Sequence, residues 1–205
     1  MSVRANPFDW SGGHPALDLV NTLDERPSAS PIETLATYRD FVRFAGLADL
    51  IAPSLARRLQ RLEGRACLRV ATGARRLREH LHDLLAAMHA GRRPRQRDLD
   101  AISAAVRSAH AARAFVASTS PRLAAHTWSP PVAPDIPLHA CALAIEHLLL
   151  QADPATIRKC GASDCDVYYV DTSKGRRRQW CSMQGCGNRE KQRRWRSAAA
   201  RRKPS

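Results

Sequence analysis

Residues 160–191 read CGASDCDVYYVDTSKGRRRQWCSMQGCGNREK and hold four of the chain's six cysteines as two pairs of equal spacing. Each pair is C-x4-C, and fifteen residues separate Cys165 from Cys181. Ligands a few residues apart make a tight knuckle, and two knuckles together make a tetrahedral thiolate cage suited to zinc. The same four sulfurs could instead form disulfides, a redox pair or an iron–sulfur cluster. Four thiolates leave a zinc ion no open position, so a metal held this way is structural. The intervening residues offer a strand in DVYYVD, a turn at TSKG and a return along RRRQW, so a hairpin is expected between the knuckles. GNREKQRRWRSAAARR then predicts a helix starting at Gly187 or Asn188. Cys67 and Cys141 lie in apolar helical patterns and are expected to be small buried hydrophobes.

The module is also the chain's basic end. Of a formal charge of +14, residues 155–205 carry 14 Lys and Arg against 4 Asp and Glu. Cations beside a doubly negative zinc tetrathiolate offset part of that charge, and Lys159, Arg178, Arg189 and Lys191 are placed to do so. They do not account for all of it. Arg176, Arg177, Arg193, Arg194 and Arg196, with the tail cations Arg201, Arg202 and Lys203, remain for an anionic partner. Phosphate is the expected one, which makes Arg176, Arg177, Arg178, Arg189, Lys191, Arg193, Arg194 and Arg196 candidate nucleic-acid contacts. Arg189, Arg193 and Arg196 share a helix face that could meet a duplex. DNA is favoured over RNA. An RNA- or ribosome-associated factor and an adaptor for an acidic protein use the same charge. One tyrosine of Tyr168 and Tyr169 is expected to form a small core with Trp180 and Trp195, and Asp171 to hold the turn or pair with an arginine.

Upstream, apolar residues recur at helical spacing. Ala16, Leu19, Val20 and Leu23 mark a short helix; Leu35, Tyr38, Phe41, Val42 and Ala45 mark a second, ending near Gly46. A long stripe runs from Ser54 to His89, in which Gly64 and Gly73 are the candidate breaks. RDLDAISAAVRSAHAA is helical, two short runs flanking Ser118–Pro121 suggest a β-hairpin, and PLHACALAIEHLLLQA is a helix burying Leu138, Cys141, Ala142, Ile145, Leu148 and Leu149. The expected fold class is mainly α: a helical N-terminal domain over 1–152 and a four-cysteine zinc module over 155–200, treble-clef-like or ribbon-like. A basic tail at 201–205 is expected to be disordered.

The order C-x4-C, YYVD, then RRRQWCSMQGCGNREK resembles the CGNR zinc finger, whose tetrad is here Cys186-Gly187-Asn188-Arg189. HPALDLVNTLDE, followed by a helix ending in FAGL, resembles the start of the ABATE domain that precedes that finger. The resemblance implies a bacterial, stress-induced transcription regulator with zinc ligated by Cys160, Cys165, Cys181 and Cys186. The body would then sense a small molecule or mediate association as a homodimer. Buried Asn21 and Thr22 would need partners; hydrogen bonds to a neighbouring loop or helix end are favoured, with a pocket ligand as the other candidate, and His14 and Asp18, four apart, pose the same question. No H-E-x-x-H, G-x-S-x-G, Walker or dinucleotide motif occurs, so no enzyme is expected. With no secretory signal and no apolar run of membrane-spanning length, a cytoplasmic location away from membranes is expected.

Overall fold

The computed structural model describes residues 7–118 and 123–201. In chain order its elements are α1 (Pro15–Val20), α2 (Tyr38–Leu47), α3 (Pro53–Leu59), α4 (Arg65–His89), α5 (Gln96–Ala111), β1 (Arg113–Ala117), β2 (Ala124–Trp128), α6 (Ile136–Gln151), β3 (Ile157–Lys159), β4 (Tyr168–Val170) and α7 (Asn188–Arg201). The protein is mainly helical, with small hairpins. Its contacts divide it into two compact units: residues 33–151, and residues up to 32 together with those from 152 onward. One boundary falls between Gln151 and Ala152, and residues up to 32, which the sequence groups with the helical domain, cluster with the C-terminal residues instead.

Within 33–151, α2 starts on a reciprocal cap. The Asp40 backbone N–H donates to Thr37 Oγ1 (3.2 Å), and the Thr37 N–H donates to Asp40 Oδ2 (2.8 Å). Tyr38, Phe41, Val42 and Ala45 are buried as their spacing predicts. The long stripe from Ser54 resolves into two helices. Gly64, at φ +101°, takes a conformation that side-chain-bearing residues avoid, and α4 begins directly after it. Gly73 stays inside α4 because α6 lies close there: a Cβ at this position would sit 3.3 Å from Leu138 Cδ2. Val70, Ala74, Leu77, Leu81 and Leu84 line the buried side of α4. Burying leucines of this kind stabilises the unit by about 1.5–3 kcal/mol each.

The sequence does not reveal that Arg78, on the same helix, is also buried. Its Nη1 and Nη2 donate to the two carboxylate oxygens of Glu33 at 2.7 Å each, and Nε donates to Glu79 Oε1 at 2.9 Å. A two-pronged pair of this geometry is what lets a guanidinium leave water.

α6 packs against α2, α4 and α5. It therefore buries nearly its whole circumference, including Ile136, Ala140, Cys141, Ala142, Ala144, Ile145 and Leu148, where the sequence pattern predicts one face. Cys67 and Cys141 are buried, unpaired thiols, as expected of small core residues. The hairpin is present: β1 and β2 pair antiparallel, with Arg113 opposite Trp128 and Phe115 opposite His126. Most of the predicted turn, like the 202–205 part of the tail, lies outside the described residues. Among those residues, no helix is long and apolar enough to cross a membrane.

The second unit opens with α1. His14 Nδ1 accepts the Ala16 N–H (3.2 Å), and Asp18 Oδ1 accepts the Gly12 N–H (2.9 Å). Gly12 must be glycine, since a Cβ would fall 2.5 Å from Asp18 Oδ1. Burial raises the Asp18 carboxyl to about 6, with repulsion from Asp9 adding and the Gly12 hydrogen bond opposing. A carboxyl raised on folding binds more protons folded than unfolded, so its contribution to stability falls as pH rises from about 4 through 6. Asp18→Asn should therefore raise stability relative to the parent at pH 7.5, by about 1–2 kcal/mol after allowance for solvent screening. The difference should vanish near pH 4, which paired thermal melts of the two proteins at each pH would check.

Candidate metal centre

The first knuckle closes the end of a hairpin. β3 and β4 pair antiparallel, with Ile157 opposite Val170 and Lys159 opposite Tyr168, and the Cys160 N–H donates to the Val167 carbonyl at 2.9 Å. Cys160 and Cys165 therefore sit at the tip of this ribbon. The sequence favours pairing of YYV with RRRQW instead. That segment is not a strand, because β3 takes one edge of β4 and Asn21 and Gly12, bonded to Tyr168 and Val170, take the other. The segment still reaches the knuckle, where the Gly161 N–H donates to the Gln179 carbonyl at 2.9 Å.

The second knuckle, Cys181 to Cys186, leads into a wide helical turn over Met183–Gly187 and then α7 at Asn188, the expected start. Ser182 caps the turn, its Oγ accepting the Gly185 N–H and its carbonyl the Gly187 N–H. Gly187 is boxed in, since a Cβ would lie 2.9 Å from Met183 Sδ and 3.1 Å from Trp180 Cδ1.

The four Sγ atoms all lie within 4.8 Å of one another, and none is in a disulfide. Cys165 to Cys181 is 3.8 Å and Cys181 to Cys186 is 3.5 Å. A zinc ion with bonds of about 2.3 Å to four sulfurs needs sulfurs about 3.8 Å apart, so the cage fits the ion. Such crowding is hard on bare thiols. Hydrogen bonds among them, from Cys165 first, pull Cys160 down, while those from Cys160 push Cys165 up to about 12 and Cys181 higher. Full deprotonation of the set calls for a cation at its centre. The protein supplies partial charge around it: the Cys181 N–H points to Cys160 Sγ (3.4 Å) and Arg189 Nη2 to Cys186 Sγ (3.1 Å). These four cysteines form one structural zinc site.

The packing around the site differs from expectation in its aromatics. Both tyrosines of β4 are buried, Trp180 is half-buried against the cysteines, and Trp195 is 72% exposed. Tyr169 packs in the cysteine cluster, donates to the Arg178 carbonyl (2.7 Å), and carries the Arg178 guanidinium over its ring, 4.2 Å from the centroid. Asp171 holds the turn. Its Oδ1 accepts from Ser173 N and Oγ and its Oδ2 from the Arg178 N–H, and these bonds, Ser173 Oγ first, hold its carboxyl below the usual range.

The eight candidate phosphate-contacting residues separate into two groups. Arg176 pairs with Asp153 at 2.7 Å, Arg178 is folded over Tyr169 and the Trp180 carbonyl, and Arg189 and Arg193 reach Asp164 at 3.2 and 3.1 Å. Arg177, Lys191, Arg194 and Arg196 are exposed and make no ion pair among the described residues. Asp164 is the residue that sequence reasoning misses. An acid inside the first knuckle carries no mark that it will meet an arginine 25 residues on. Asp166 is similar, pairing with Lys159 and, at 3.8 Å, with Arg26.

A family model described as "Putative stress-induced transcription regulator", ABATE, matches residues 13–152. The chain belongs to the ABATE family. A second model, the CGNR zinc finger, matches residues 156–199 and contains all four clustered cysteines. No curated protein matches the chain. For this ABATE chain, the polar pair Asn21 and Thr22 has protein partners. Asn21 Nδ2 donates to the Tyr168 carbonyl (2.9 Å), the Tyr168 N–H donates to Asn21 Oδ1 (3.0 Å), and Thr22 Oγ1 donates to the Leu19 carbonyl (2.6 Å). Asn21 does line a groove of about 640 Å³ beside Asp164, Asp166 and Arg189, but both ends of its amide are engaged.

Proposed function

We propose that this protein is a zinc-organised transcription regulator that binds nucleic acid, duplex DNA ahead of RNA, through its CGNR module. The family descriptions support a regulator with a zinc finger. The observation that carries the binding reading is the charge left over once the module's own acids are satisfied. Lys174, Arg177, Lys191, Arg194 and Arg196 stand exposed without an acidic partner among the described residues. Like charges this close repel one another, and a polyphosphate backbone relieves that repulsion while releasing its own counterions. On this reading the ABATE part, residues 1–152, senses a signal or mediates association in the cytoplasm, the finger over 155–200 docks the protein, and no catalytic step is assigned.

Titration of a duplex at several salt concentrations tests the reading. Log affinity should fall with log salt with a slope of about −0.9 for each phosphate neutralised, so about −3.6 to −4.5 for four or five contacts. A flat response, or no binding to any duplex, rejects it. Displacement of the duplex by structured RNA would move the partner to RNA.

A further inference from the structure

Resting on that nucleic-acid reading, we infer that the docking surface is the outward face of α7 made by Lys191, Arg194 and Trp195. The two cations would lie on phosphates of one duplex strand and the indole against the sugar edge beside them. The three residues are spaced zero, three and four along the helix, which puts them on one face. The opposite side is occupied: Arg189 and Arg193 are turned to Asp164, and Arg189 also to Cys186 Sγ. The acid of α7, Glu190, is taken up by Arg193 and its side chain is only 14% exposed. The outer face therefore carries uncompensated positive charge.

Trp195 is the second, independent observation. It is the only aromatic residue of α7, and 72% of its surface meets water among residues that, from Asn188 to Ser197, are otherwise polar. The ring lies on the same face as Lys191 and Arg194, so its apolar area is offered beside their charge, and tryptophan, with an apolar body and a polar N–H, is a side chain suited to such a contact. The class of partner follows from what is missing around it. Single strands are held by several aromatic groups stacking successive bases. Here Tyr168 and Tyr169 are buried and Trp180 packs on the cysteines, so a lone indole offers no such platform. One ring between two cations instead suits the backbone of a duplex, where phosphates alternate with apolar sugar edges. A helix of 14 residues, about 21 Å long, gives the face enough length to follow that backbone.

The test compares three full-length proteins on one duplex across a salt series: the parent, Lys191→Gln/Arg194→Gln, and Trp195→Ala. Zinc content and helical circular dichroism, expected unchanged because these side chains hold nothing in place, confirm that each is folded. The double variant should bind at least about tenfold more weakly near 0.15 M salt, with a slope shallower by about 1.8, the value for two lost phosphate contacts. Trp195→Ala should weaken binding several-fold and leave the slope unchanged. A parent that binds the duplex, with a double variant of undiminished slope, overturns the proposed face. A parent that binds no duplex at any salt fails the underlying reading instead. If sedimentation shows that Trp195→Ala abolishes self-association while duplex affinity stays the same, the face belongs to a second copy of the chain and the proposal falls.

Discussion

Cys181→Ser is expected to yield a protein that retains no zinc and has lost the fold of its C-terminal module, while the core of the 33–151 unit persists. The size of the effect follows from what the module is made of. Its buried cluster is Cys160, Ala162, Tyr169, Cys181 and Cys186, with Cys165, Val167 and Trp180 packed beside it. Half of these side chains are the ligands themselves. One tyrosine, one half-buried tryptophan and two small apolar residues cannot offset the conformational entropy of ordering some forty residues. A structural zinc contributes on the order of 10–16 kcal/mol in such modules, more than any other interaction within it. Removing one of four thiolates leaves the other three crowded without a full coordination sphere. The start of α7 is tied to Cys186 through Gly187, so the helix should fray with the site. By contrast, the core of 33–151 is built from α2, α4, α5 and α6 and contains none of the ligands. Hydrogen exchange read by mass spectrometry separates the two: protection should vanish over 157–197 and remain over 65–89. A zinc-free protein with native protection over 157–197 would contradict the expectation. Chelation of the parent should reproduce the variant's pattern.

Ligands and helices are legible from the sequence because each leaves a local pattern. Four cysteines at two equal spacings mark the ligand set whatever the rest of the chain does, with their clustering as free thiols seen only in the fold, and the apolar periodicity of α2 and α4 needs only neighbours along the chain. Gly64 and Gly73 read alike as candidate breaks. The φ of +101° at Gly64 and the approach of Leu138 to Gly73 tell the two apart, and both belong to the folded chain. The failures share this character. YYV has strand propensity but names no partner, and the nearest candidate in sequence, RRRQW, is not the one used; IRK, before the first knuckle, is. Arg189 and Arg193 share a face with Arg196 as spacing requires. That two of the three are turned to Asp164 depends on how the first knuckle folds back on α7. Trp195 reads as core because tryptophan usually is, and its exposure becomes visible only once the inner face of α7 is seen to be polar and taken.

Asn21→Ala should loosen the zinc module from a distance of 147 residues in sequence, and the reason lies in β4. A two-stranded ribbon has two edges. One edge of β4 pairs with β3, and the other would present the buried N–H and C=O of Tyr168 to nothing. Asn21 answers both with one carboxamide, donating at 2.9 Å and accepting at 3.0 Å, as a neighbouring strand would. Two residues along, the Val170 N–H donates to the Gly12 carbonyl at 2.8 Å, so the edge is covered at alternate positions by the segment around α1. Alanine removes the carboxamide and leaves two unsatisfied groups on Tyr168, which is 1% exposed. At about 1–3 kcal/mol for each stranded group, the loss is about 2–6 kcal/mol. Because β4 carries Tyr169 into the cysteine cluster and leads back from Cys165, the loss should be felt at the metal: faster zinc transfer to a chromophoric chelator and weaker exchange protection over 157–170. Asn21→Asp discriminates between geometry and packing. It keeps the size and one acceptor but cannot donate to the Tyr168 carbonyl, so it should rescue little. Parent-like zinc transfer in both variants would mean that the ribbon holds its shape without the N-terminal segment. A weakened site in both would make residues 12–21 part of the zinc module's fold, although they lie before and inside the ABATE match that begins at residue 13.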